Sequence, residues 1–270
     1  MAHVENVFIY PIKGLEATRV ETTRLTQAGT LSGDREYAMV DPDATDLNGE
    51  FDTVGRTFNG KEIDNLNEIA STFDASRGVL EIDRAGAESV RFDLATERDA
   101  ASEWFSAFAG RPLRLRRRDP PGFLDRPHLG PSVVSTGTLE EIASWFDGMT
   151  LEGARARFRP NVEIGGVPAF WEDRFLADGA GFAIGDVRFE GVEACVRCVV
   201  PSRSPDTGER TEDFRRRLTE RRRETLPPWV DEDALESPFS AMLITEVPEA
   251  SRGGTIGVGD EVRAGERPGR

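Results

Sequence analysis

Apolar residues along this chain fall in short alternating runs cut by glycine, proline, asparagine and aspartate, the signature of short strands and turns. Residues 4–10 alternate and stop at Pro11, and residues 19–25 and 36–41 follow as strands. Residues 78–82 and 89–94 read as hairpin arms around Arg84-Ala-Gly, and residues 113–117 alternate again. Later strands are expected at 132–135, after Phe158-Arg-Pro-Asn, in a hairpin over 182–190, and at 241–247 and 255–262. Helical signals are few. Thr96-x-x-Asp99 and Thr138-x-x-Glu141 resemble capping boxes before helices running to about Phe108 and Phe146, and residues 212–224 form a charged helix. Residues 42–64 read as a long surface loop holding Arg56 and Lys61, and Phe170-Trp-Glu-Asp as a loop at a site entrance or a plain surface turn. No repeat is visible, and the alternation of strands and turns favours barrels over parallel α/β units. The expected class is α+β, rich in β. The proline- and glycine-rich stretch 119–131 stops either regular period and divides the chain into domains at 1–118 and 119–270.

Composition narrows this picture. The 270 residues are 38% apolar, enough for a packed core, and carry a net charge of −15. Among 34 basic residues only Lys13 and Lys61 are lysines. An acidic, lysine-poor surface suits solubility in high salt, so a halophilic cytoplasm is the expected setting. No stretch has the ~18 apolar residues of a membrane span, and the first residues do not read as a leader. The arginine-rich segment 215–223 has acidic neighbours, and the whole molecule repels a polyanion, which argues against nucleic acid as a partner.

The chemistry concentrates between Gly191 and Gly208, which hold both cysteines as Cys195-Val-Arg-Cys198. Two cysteines make no disulfide framework, and a zinc or iron–sulfur site wants about four ligands. The two histidines, His3 and His128, are far away in sequence. Arg197 and Arg203 favour a thiolate, the nucleophilic and metal-binding form. A thioredoxin-like dithiol would open a helix, whereas Val199-Val200-Pro201 reads as extended. Arg159-Pro-Asn161 is either a surface pairing or an anion clamp, since guanidinium binds phosphate through parallel hydrogen bonds. Lys13 and Arg35 both sit at strand–loop junctions. Ser135 lacks a nucleophile elbow, so a Ser–His–Asp triad is not expected.

Taken together, Tyr-Pro-Ile-Lys13, Gly33-Asp-Arg35, Phe158-Arg-Pro-Asn161, Cys195-Val-Arg-Cys198 with Pro-Asp-Thr-Gly behind it, and Gly254-Thr-Ile-Gly-Val-Gly-Asp resemble MOSC-domain proteins with an N-terminal MOSC β-barrel domain. That group includes the mitochondrial amidoxime-reducing component. The resemblance covers nearly the whole chain and implies a MOSC β-barrel domain preceded by a smaller barrel-like domain. It implies Cys198 as protein ligand of molybdenum in a molybdenum-pterin (molybdopterin) cofactor, contacted by Arg197, Arg159 and Asn161, with Lys13 and Arg35 reaching it from the N-terminal part. Ser135 and Thr136 are further candidates to cap the pterin or its phosphate. Pyridoxal phosphate binding comes with the family only as a general term. Gly14 departs from the pattern, standing where relatives often carry serine.

The activity so implied is reduction of an N-hydroxylated small molecule, with Cys198 bound throughout. Two cysteines cannot hold a four-cysteine cluster, so electrons are expected from an external ferredoxin-like or flavin donor. The rivals are a carrier of the cofactor, or of sulfur as a persulfide on Cys198, and a small metal- or anion-binding module without redox turnover. The protein is expected to be a cytoplasmic monomer.

Overall fold

The computed structural model describes residues 1–44, 56–63, 65–176, 180–230, 235 and 237–265. Its main feature is an eight-stranded sheet that draws on both halves of the sequence. From the N-terminal half come β1 (His3–Ile9) and β2 (Thr18–Val20). Next along the chain are β3 (Thr22–Arg24), β4 (Tyr37–Val40), β5 (Thr57–Phe58), β6 (Ile69–Asp74), β7 (Val79–Arg84), β8 (Val90–Asp93), α1 (Arg98–Ala109) and β9 (Arg114–Arg117). Beyond residue 119 lie β10 (Ser132–Ser135), α2 (Thr136–Ser144), α3 (Leu151–Phe158), β11 (Val162–Gly165), β12 (Gly181–Ile184), β13 (Val187–Val196) and α4 (Phe214–Glu224). The last strands are β14 (Ser240–Glu246), β15 (Thr255–Gly257) and β16 (Val262–Ala264). The large sheet runs β16-β12-β13-β14-β10-β11-β1-β2, while β15 pairs β3, β4 lies between β5 and β9, and β7 lies between β6 and β8.

Alternation explains how each sheet buries a face. In β6 and β7 the residues Ile69, Leu80 and Ile82 are buried while their neighbours face out, and α1 lays Ala101 and Phe105 against them. Burying a side chain such as Phe105 contributes about 1.5–3 kcal/mol. Gly110 closes α1 in the left-handed conformation that a Cβ disfavours. The cap at the other end is Glu97, without a side-chain cap bond, so the Thr96-x-x-Asp99 box does not form. The second expected box is also displaced. Ser135 caps α2 by accepting from the Thr138 N–H at 3.1 Å, and Thr138 lies buried inside the helix.

Other departures have local causes. The strand expected over 19–25 is broken at Glu21 into β2 and β3, which join different sheets. Helix α3 was not anticipated, because its single buried stripe is only Ala154 and Phe158. Phe170, Trp171, Glu172 and Asp173 are neither a surface turn nor an entrance, since all four are buried and Trp171–Phe175 is a 3-10 helix. Part of the expected loop 42–64 lies outside the described residues; within it β5 pairs β4.

The proposed boundary at 119 does not separate two sheets. β1 pairs β11 and β2, and β3 pairs β15, so the first 24 residues are woven into the later part. In helix α4 several arginines meet carboxylates: Arg216 bonds Asp213 and Glu220, Arg221 bonds Glu224, and Arg222 is buried against Asp173 at 2.6 Å.

Candidate functional site

Two register slips shape the strand that carries the cysteines. Opposite β14, β13 gains an extra residue at Val192, and β14 gains one between Leu243 and Ser240, where Met242 sits at φ +74°. Such bulges bend a strand and end its pairing. Cys195 stays in β13 and is buried, whereas Cys198 lies two residues past its end and is exposed. The chain then makes one 3-10 turn, Val200–Ser202, in place of the expected extended run. Arg157 holds that turn by donating to the carbonyls of Pro201 and Arg203, each at 2.8 Å.

Past this turn opens a cavity of about 600 Å³. Its walls come from the Tyr10–Ala17 turn, Asn59, Gly60, Lys61, Ile63, Leu66 and Asn67, the loop 124–130, the end of α3 and the cysteine stretch. Nine basic residues line it, Lys13, Arg35, Lys61, Arg126, Arg155, Arg157, Arg159, Arg197 and Arg203, against three acidic ones, Glu16, Asp125 and Glu152. In a chain of net charge −15 this is a local inversion of sign. Such a concentration in a low-dielectric recess attracts anions.

Tyr10 is the centrepiece of one wall. Two guanidiniums lie over its ring, Arg159 at 4.1 Å and Arg35 at 4.7 Å from the centroid, and its hydroxyl donates to the Pro160 carbonyl at 3.0 Å. Burial pushes the phenol up to about 12, against the pull of both arginines. Each arginine is anchored: Arg159 donates to the Leu15 carbonyl at 2.6 Å, and Arg35 pairs with Asp34. Both sit at positive φ, +56° and +53°. Among the described residues five non-glycine residues have positive φ, and three of them, Arg35, Arg159 and Met242, line this one cavity. Strain of this kind, of order 1–3 kcal/mol per residue, clusters at functional sites.

Three residues on from Tyr10, Lys13 is buried and its Nζ donates to Asp125 at 2.5 Å. Burial holds the ammonium below the usual lysine range, although Asp125 works the other way. Gly14 follows at φ +96°, and a Cβ there would meet the Asn59 Cβ at 3.0 Å, so serine is strained at this position. Lys61, unassigned on sequence, belongs to the same wall.

The cysteines differ in kind. Arg197 donates from Nη1 to Cys195 Sγ at 3.0 Å and from Nη2 to the Phe158 carbonyl at 3.1 Å. Its Nε is buried in the cavity wall with no partner. Arg197 therefore braces the buried thiol, and its Nε–H is left over for a ligand. Cys195 and Cys198 have no complement for zinc: among the described residues no three His, Cys, Asp or Glu side chains gather in metal-binding geometry.

Of the sequence-chosen residues, Lys13, Arg35, Arg159, Asn161, Arg197 and Cys198 all line the cavity. Asn161 is largely spent on the fold, its Oδ1 accepting from Ser132 N at 3.2 Å and Oγ at 3.1 Å, and its Nδ2 donating to Phe8 O at 3.2 Å. That leaves one amide hydrogen for a ligand. Ser135 and Thr136 do not line it. Ser135 is the buried cap of α2, and Thr136 donates to Glu163 at 2.8 Å, a buried carboxylate also gripped twice by Arg155 at 2.7 Å. Sequence reasoning missed Tyr10, Arg155 and Arg157. The Tyr-Pro-Ile-Lys start contained Tyr10, but only the fold reveals what stacks on it.

Residues 1–112 match the MOSC N-terminal beta barrel domain and residues 128–263 match the MOSC domain. Curated relatives include proteins named molybdenum cofactor sulfurase, from Caenorhabditis elegans at 27% identity and from Oryza sativa subsp. japonica at 25%. Each match takes in 77% of this chain, and the chain spans less than a third of either relative's length, 30% and 29%. A solved structure of the YUAD protein from Bacillus subtilis aligns over 98% of this chain and 96% of its own, with a TM-score of 0.41 and 11% identity. Among the described residues no helix is long and apolar enough to cross a membrane. With both family domains matched in order and together taking in most of its length, the chain belongs to the MOSC-domain proteins that carry an N-terminal MOSC beta barrel domain.

Proposed function

We propose that the cavity seats a molybdenum-pterin cofactor, with Cys198 as the metal's protein ligand, and that the protein is an oxidoreductase removing oxygen from N-hydroxylated small molecules. The observation that carries this reading is the gathering of nine basic side chains beside one exposed cysteine in a strongly acidic protein. A phosphate-bearing anion with a soft metal centre suits that donor set. The buried, partnerless Nε of Arg197 supports the same fit.

The residues divide the work. Lys13, Arg35 and Arg159 would hold the anionic part from the N-terminal side, and Arg197 would donate to it from the cysteine side. Arg157 fixes the turn after Cys198, so the thiolate is presented from a braced loop rather than a loose one. Bound there, the cofactor supplies the oxygen-atom and two-electron chemistry that side chains lack. Overall, two electrons and two protons convert N–OH to N–H and release water. The electrons come from an external ferredoxin-like or flavin donor.

Metal and pterin analysis of the purified chain tests the reading. Wild type is expected to hold both in stoichiometric amount, Cys198→Ala to lose molybdenum and all reduction of an amidoxime by a reduced dye, and Cys195→Ala to keep the metal with weakened packing. Equal loss in the two variants would sink the single-ligand assignment.

A second reading is favoured by the relatives' name: Cys198 carries sulfur as a persulfide for delivery to another cofactor-dependent enzyme. Labile sulfur on Cys198 without stoichiometric molybdenum would select it.

A further inference from the structure

Arginine supplies every basic side chain of this protein except two, and those two lysines, Lys13 and Lys61, line the same cavity. Lysine is a compact point charge that can be approached from several directions, whereas guanidinium demands a planar partner. In the structure this corner is shared with a carboxylate of the chain itself. Lys13, its side chain only 10% exposed, bonds Asp125 through Nζ at 2.5 Å, while the Asp125 side chain remains 57% exposed. The charges of Lys61 and Arg35 also act on Asp125.

The loop that carries Asp125 is pinned on both sides. Before it, Phe123 N donates to the Arg35 carbonyl at 2.8 Å, and Gly122, at φ +75°, packs so tightly that a Cβ would lie 2.7 Å from the same oxygen. After it, Arg126 forms an ion pair with Glu193 of β13 at 2.5 Å. The loop is thus a strap from Arg35 to the cysteine strand, and it delivers one carboxylate to a corner rich in positive charge. A buried ammonium needs a counter-charge, so Asp125 can leave Lys13 only as another anion takes its place, and its half-exposed carboxylate then returns to water.

We propose that Lys13, Lys61 and Arg35 form a phosphate subsite in which Asp125 is a built-in counter-anion, and that a phosphate monoester binds by displacing the Asp125 carboxylate from Lys13. This rests on reading the cavity as the seat of a phosphate-bearing pterin, and it adds Lys61 and a competitor, Asp125, to that site. The strap loosens as the ligand enters and closes again on an empty corner.

The test uses the full chain isolated from a host that makes no pterin, titrated with inorganic phosphate at ionic strength held constant with chloride. If Asp125 competes, Asp125→Asn binds phosphate about tenfold more tightly than wild type, and Lys61→Gln about tenfold more weakly, with Lys61→Arg recovering most of the loss. If Asp125 merely positions Lys13, Asp125→Asn weakens binding; that sign, or no change, overturns the proposal. Should Asp125→Asn fail to fold, hydrogen exchange in wild type decides: phosphate is expected to lower protection over residues 123–129, and unchanged or raised protection overturns it. The two readings fail separately. Pterin found in protein purified from a pterin-making host, together with weaker phosphate binding by Asp125→Asn, removes this inference and leaves the proposed function. Phosphate competition together with no pterin in protein from the pterin-making host keeps the subsite and removes the function.

Discussion

Tyr10 shows how a single side chain organises a site from beneath. Arg35 and Arg159 both lie over its ring, which attracts each guanidinium and offsets part of the repulsion between them. Tyr10→Phe keeps the ring and loses the bond to Pro160, a cost of about 1 kcal/mol. Tyr10→Leu removes both cation–π contacts as well and costs about 1–2 kcal/mol more. Urea denaturation of the two variants separates the terms, and equal stability would show that the ring faces contribute nothing. At this scale the sequence was informative where chemistry is rare. Two cysteines and two lysines in 270 residues attract notice by scarcity, and Lys13 and Cys198 do reach the cavity. Arg155 and Arg157 were lost among many arginines, for nothing local separates a wall residue from a surface one. Ser135 and Thr136 went astray for a related reason, because a hydroxyl at a strand–helix junction serves a cap as readily as a ligand.

Among the elements, the 3-10 turn Trp171–Phe175 is the one whose chemistry the sequence hid. It buries two adjacent carboxylates, Glu172 and Asp173, and α4 answers with Arg222, bonded to Asp173 and lying 4.1 Å over the Phe170 ring. Burial, with the Asp173 charge adding to it, raises the Glu172 carboxyl to about 7. Burial likewise raises Asp173 in spite of Arg222. Between the ordinary carboxylate range and about 7, folded Glu172 keeps a proton that the unfolded chain has lost. The folded state then binds more protons, and stability falls as pH rises through that window, by at most about 1.4 kcal/mol per unit from this group. Glu172→Gln is therefore expected to match wild type near pH 4.5 and to exceed it at pH 8 in denaturant melts; a pH-independent difference would contradict the assignment. Periodicity found the strands because their buried faces alternate, as in β6 and β7. It missed α3 and this turn, whose burial comes from partners far along the chain.

For the molecule as a whole, charge is divided between an acidic exterior and a basic recess. A net charge of −15 makes the folded state repel itself, and salt relieves that repulsion. Melting temperature is expected to rise from 0.1 M to 2 M KCl, and a flat profile would remove the high-salt reading of the composition. At about 1 M salt the Debye length is only about 3 Å, so an anion would be held in the recess by contact rather than drawn from afar. Fold class and the order of the two family regions were legible, since each leaves a continuous trace in sequence. The pairing of β1 with β11 and of β3 with β15 was not, because strand partners are chosen by distant edges. That weave has a practical outcome. A fragment starting at residue 119 would present β11 and β15 as raw edges and would lack Tyr10, Lys13 and Arg35. The halves of this protein are thus complementary fragments, expected to recover a cavity when produced together and to aggregate when produced apart.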